Sequence, residues 1–163
     1  MLTSARRPDK KAEEFALRLL ARKDYSQAEM RQKLGQKGFS LTEIENVLHK
    51  LSTHQLLNDL RYAQNLANFY GKQKFWGPWR IKHKLQEKGI SPDLAEEVVA
   101  QEEKNFPAEE RLKKLLEKKL KNRNLSEFSN QEWKKLTNQL YRYGYSWEEI
   151  TNILSREGGL AEE

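Results

Sequence analysis

The same short phrase returns three times along this chain of 163 residues: Lys37-Gly38-Phe39-Ser40, Lys88-Gly89-Ile90-Ser91 and Tyr143-Gly144-Tyr145-Ser146. Each copy sits in one apolar frame. Eight residues before the glycine stand Met30, Ile81 and Leu136, and four before it Leu34, Leu85 and Leu140. Nine and ten after it stand Val47-Leu48, Val98-Val99 and Ile153-Leu154. Internal repetition of this length predicts an array of like supersecondary units, each too small to bury its apolar face alone.

The phrase reads as the end of one helix and the start of the next. Apolar residues four apart share a helix face. The glycine supplies the left-handed position that closes the helix. The serine is the N-cap of the following helix, and Ser40 and Ser146 have Glu43 and Glu149 three residues on, which makes capping boxes. Ser26 with Glu29 and Ser129 with Glu132 form two more. After Ser91 comes Pro92, and after Gly77 comes Pro78, both at the favoured first helical position.

The expected helices are 11–23, 27–37, 41–51, 59–74, 78–88, 92–104, 107–122, 130–143 and 147–156. No alternating β-branched run predicts a strand. The fold class expected is all-α, an elongated tandem array of three three-helix repeats. The expected organisation is a flexible N-terminal arm (1–10), repeats over 11–55, 56–105 and 106–157, and a tail (158–163) that Leu160 could tie down.

Without cysteine the chain has no disulfide or thiolate metal site, which fits a reducing compartment. No apolar run is long enough to span a bilayer, and the charges at Arg6, Arg7, Lys10 and Lys11 precede no apolar leader core. A cytoplasmic monomer without cofactor, metal or membrane contact is expected. His49, His54 and His83 are the only histidines and lack metal-binding spacing. Adjacent acids such as Glu96-Glu97 point about 100° apart on a helix. Both features argue against an enzyme.

The net charge of +6 is unevenly distributed. From Lys72 to Lys88 six cations face one anion, from Asp93 to Glu110 seven anions face one cation, and from Arg111 to Arg123 seven cations face one anion. Blocks of this kind suggest a footprint for a polyanion or an acidic protein face. The favoured surface is Lys72, Lys74, Trp79, Arg80, Lys82, Lys84 and Lys88. On its helix Ile81 and Leu85 form the buried stripe and the cations have few local acidic partners. Trp79, at the second helical position, is the aromatic best placed for exposure and base stacking. A secondary basic surface is Arg111, Lys113, Lys114 and Lys118.

These residues resemble the RecX family of bacterial regulators of the recombinase RecA. The resemblance runs from about Ala12 to Arg156. It rests on Asp24-Tyr25-Ser26, Glu29-Met30 and Lys37-Gly38-Phe39, on Leu57-Asn58-Asp59 and Arg61-Tyr62-Ala63, and on Gly77-Pro78, Arg80-Ile81, Leu85 and Lys88-Gly89-Ile90. In the third repeat it rests on Leu140, Gly144-Tyr145 and Ile150. Tyr62 replaces a usual phenylalanine, and Phe75-Trp76 a common glycine-tyrosine pair. The resemblance implies a non-enzymatic modulator that binds the RecA–DNA nucleoprotein filament, and single- or double-stranded DNA. Such a protein limits filament growth and lowers RecA's ATPase, recombinase and coprotease activities in homologous recombination, DNA repair and the SOS response. The alternative from another class is a stand-alone DNA-binding helical-repeat module, because three-helix units with short turns resemble helix-turn-helix proteins.

Overall fold

The structure, a computed structural model, describes residues 9–157. The described residues fold into nine α-helices and no strand. The first repeat holds α1 (Asp9–Leu20), α2 (Gln27–Gln36) and α3 (Leu41–Thr53). The second holds α4 (Asp59–Lys74), α5 (Pro78–Glu87) and α6 (Pro92–Asn105). The third holds α7 (Ala108–Leu120), α8 (Asn130–Arg142) and α9 (Trp147–Arg156). The expected tail, Leu160, and residues 1–8 of the expected arm lie outside the described residues.

The caps act as their chemistry dictates. Ser26, Ser40, Ser129 and Ser146 each accept from the N–H three residues on, and the glutamate there accepts from the serine N–H. Gly38, Gly89 and Gly144 have φ of 94°, 81° and 97°, values that favour glycine. Several helix ends differ from expectation by up to three residues. α7 stops at Leu120 because Lys121 and Asn122 turn left-handed, with φ of 46° and 71°. α1 begins at Asp9 and ends at Leu20, three residues before the expected stop. Between α7 and α8, Leu125–Glu127 form a short 3-10 turn that buries Leu125.

Within each repeat the third helix packs against both others. The core is correspondingly divided in three, centred on Met30, Leu34 and Val47, on Ile81, Leu85 and Val98, and on Leu136, Leu140 and Ile153. Every apolar position of the repeated frame is buried except Val99, which is partly so.

One rule joins successive repeats. The glycine turn that closes a middle helix docks on the N-terminus of the previous repeat's middle helix. At the first joint a Cβ on Gly89 would overlap the Ala28 side chain, and the Ser26 hydroxyl donates to the Lys88 carbonyl. Lys88 Nζ pairs with Glu29 at 3.0 Å, the Gln27 N–H donates to Asp59 at 2.8 Å, and the Tyr62 hydroxyl donates to Glu29 at 3.0 Å. At the second joint Gly144 presses on Arg80, and the Gly77 N–H donates to the Tyr143 carbonyl at 2.7 Å. The Tyr145 hydroxyl donates to the Phe75 carbonyl at 2.6 Å, and Arg111 donates to the Trp76 carbonyl at 3.1 Å.

Candidate basic interface

The favoured cations arise from two adjoining stretches, the last turn of α4 and the exposed side of α5. Ile81 and Leu85 face the core, so the residues between them face outward. Lys72 and Lys74 are exposed where cations also suit the helix dipole. Among the described residues neither pairs with a carboxylate within 4.0 Å. Lys74 Nζ lies 5.7 Å from the centre of the Phe69 ring. Trp79 is 62% exposed, and its ring centre lies 4.1 Å from that of His83.

The other cations of this group have partners that local spacing does not reveal. Lys82 pairs with Glu96 of α6. Lys84 pairs with Glu87 at 2.9 Å, and that hydrogen bond raises the lysine's pKa and lowers the glutamate's. Lys88 is committed to Glu29 of the first repeat. Within α5 the one acid is Glu87, as expected, and the other two partners come from other helices. The acidic run that follows Asp93 supplies one of them from the neighbouring helix.

Arg80 departs furthest from a solvated cation. Its guanidinium carbon lies 3.8 Å from the Trp76 ring centre and 5.6 Å from that of Tyr143, and it donates to the Arg142 carbonyl at 3.2 Å. Trp76 in turn stacks on Tyr70 at 4.0 Å, and Tyr70 meets Phe69 edge-on at 5.3 Å. A column of rings capped by a guanidinium therefore crosses the second joint, and Arg80 helps to hold it.

The secondary surface divides as well. Lys113, Lys114 and Lys118 are exposed. Arg111 is fully buried, which removes it from any surface. It pairs with Glu103 and lies beside Glu102 and Gly71. Burial pushes the Arg111 guanidinium below its ordinary pKa, and burial raises Glu102 despite the opposing charges of Lys72 and Arg111. The sequence placed Arg111 among lysines. Its position in the first turn of α7, against the loop after α4, could not be read from that neighbourhood.

Sequence reasoning missed a groove of about 440 Å³ at the second joint. Trp79 lines it with Tyr141 and Trp147, which are 63% and 61% exposed, and with Glu149. The available signal was the placement of two tryptophans at the solvent side of helix starts.

Comparison with known proteins follows the same three units. Family models described as the first, second and third three-helix domains of RecX match residues 12–51, 58–99 and 108–154. A regulatory protein RecX of Vibrio vulnificus (strain CMCP6) is 33% identical over 151 residues, 92% of this chain and 95% of that protein. A regulatory protein RecX of Legionella pneumophila (strain Corby) is 40% identical over 96 residues, a match spanning 59% of this chain and 63% of that relative. The crystal structure of RecX from Lactobacillus salivarius superposes with a TM-score of 0.81 at 25% identity, over 92% of this chain and 96% of that one.

Proposed function

This chain belongs to the RecX family, and from that premise we propose that it is a non-enzymatic regulator of RecA. It binds the RecA–DNA filament in the cytoplasm and limits filament growth, which lowers RecA's ATPase, recombinase and coprotease activities. The observation that carries this reading is the run of three family domains along one array of joined repeats. A molecule so built offers a long surface in place of a pocket, suited to an extended polymer. Lys72 and Lys74, with Lys82, Lys84 and Trp79 beside them, supply the contact to phosphates or acidic RecA surface. Arg80 and Lys88 act from within the joints, by holding this surface in shape.

The test is RecA's DNA-dependent ATPase with the protein added below stoichiometry, alongside binding to free single strands, free duplex and the filament at one salt concentration. Preference for the filament and loss of ATPase support the regulator. Equal affinity for every DNA, with ATPase unchanged, would replace it with the stand-alone DNA-binding module.

A further inference from the structure

The first joint is built from a small set of residues, and part of that set recurs at the two ends of the array, where among the described residues it joins no repeat. On its N-terminal side the joint uses the start of a middle helix, Ser26-x-x-Glu29, with the first helical N–H at Gln27. The third repeat presents Ser129-x-x-Glu132 with Asn130 at the first position of α8. On its C-terminal side the joint uses Lys88-Gly89 and the aspartate that opens α4, Asp59. The first repeat presents Lys37-Gly38; Asp9 stands where α4 has Leu60 and already accepts from Asn46 at 3.3 Å.

The burial pattern separates used from unused halves. Ser26 is fully buried, whereas Ser129 is exposed. Gly89 meets Ala28 and Gly144 meets Arg80, but among the described residues nothing lies within 4 Å of a Cβ placed on Gly38. Gly38 nevertheless has the same left-handed backbone as the other two.

We propose that a second copy of this chain docks head to tail. Lys37 and Gly38 of one copy then sit on the α8 N-terminus of the next, as Lys88 and Gly89 sit on α2 within the chain. Lys37 pairs with Glu132, and the Lys37 carbonyl accepts from Ser129. The contact uses different surfaces on its two sides, so it does not close and can propagate.

The same comparison makes it weak. The position of Tyr62 is taken in α1 by Lys11, which offers no hydroxyl. Gln131 stands where the first joint has Ala28, and Glu132 already holds Arg123 at 2.8 Å. The free chain is therefore monomeric when dilute. Alignment of copies along a polymer raises their effective concentration and populates the contact. That last point rests on the function proposed above, whereas the docking itself does not.

The chain has no cysteine, so single-cysteine variants report cleanly. Gln36→Cys and Lys134→Cys lie at exposed positions near the two halves and leave the proposed contacts in place. With a short bis-maleimide at several hundred micromolar protein, the mixture should give about tenfold more cross-linked dimer than either variant alone. Lys37→Glu in the first variant should return the yield to that background. Glu132→Lys in the second variant should rescue Lys37→Glu. Equal yields from the mixture and from the separate variants, in proteins of unchanged helicity, overturn the proposal. So does a yield indifferent to Lys37→Glu. Cross-linking in free solution that the RecA–DNA filament does not increase would support the docking, and the proposed function would be the part that fails.

Discussion

Gly144 lies against Arg80 so closely that a methyl group on the glycine would fall 2.6 Å from the arginine's backbone nitrogen. The two residues are in different repeats, and this approach seats the end of α8 on the start of α5. Gly144→Ala must therefore both strain a left-handed backbone and push the repeats apart. Gly38→Ala meets only the strain, about 1–2 kcal/mol. Urea denaturation should show the larger loss for Gly144→Ala. Equal losses would mean that the second joint is not packed as described.

Leu85 is fully buried at the centre of the middle core. Leu85→Ala should cost about 2–5 kcal/mol, the range for a leucine removed from a packed interior. Because the second repeat supports a neighbour on each side, thermal melting should show the whole array loosen. A melting curve like that of the unaltered protein would sink this assignment of the core.

Arg111→Ala should cost about 3–5 kcal/mol, since it removes the cation that half-buried Glu103 and buried Glu102 face and frees the Trp76 carbonyl. The triple change at Lys113, Lys114 and Lys118 should alter stability by less than about 1 kcal/mol, as surface positions do. The contrast, read by chemical denaturation, separates one buried cation from its exposed neighbours.

Glu29 links the first joint to pH. Burial alone would raise its carboxyl, but hydrogen bonds from Lys88, the Ser26 N–H and Tyr62 bring it below its ordinary value of 4.5. The unfolded chain then takes up a proton more readily than the folded one. This contribution to stability is present above pH 4.5 and is lost as pH falls through the lower native value. Melting temperatures between about pH 6 and pH 3 should fall less steeply for Glu29→Gln, from a lower starting point. Parallel curves would show that Glu29 is not held by these partners.

Changing Lys72, Lys74, Lys82 and Lys84 together to alanine should leave helicity intact and weaken filament binding by about tenfold or more, roughly 1.4 kcal/mol. If the contacts are to phosphates, the log–log salt slope should flatten by about 0.7–0.9 per contact removed. Arg80→Ala should behave differently, lowering stability through the lost stack on Trp76, worth about 0.5–2 kcal/mol. A folded quadruple variant that binds like the unaltered protein would reduce this surface to solvated side chains.

The helices were largely legible because their signals are local. Asn58 and Pro78 open α4 and α5 where expected, and α4 and α9 match residue for residue. The end of α7 was not legible, because no glycine marks it and lysine and asparagine take the left-handed turn instead. The site was legible only as a cluster of charges. What each cation does depends on partners distant in sequence: Arg142 is 62 residues from Arg80, and Glu29 is 59 from Lys88. A charge count cannot distinguish a lysine that greets solvent from one that fastens two repeats.

The two joints also differ in stiffness. The second is clamped by a buried guanidinium, the stack on Arg80 and the tyrosine bond to Phe75, whose ring packs into the third core. The first relies on Lys88 with Glu29 and on hydrogen bonds at helix ends, and salt weakens such an ion pair. Added salt should therefore loosen the first joint before the second, so that ionic strength sets how firmly repeat one is held to the other two.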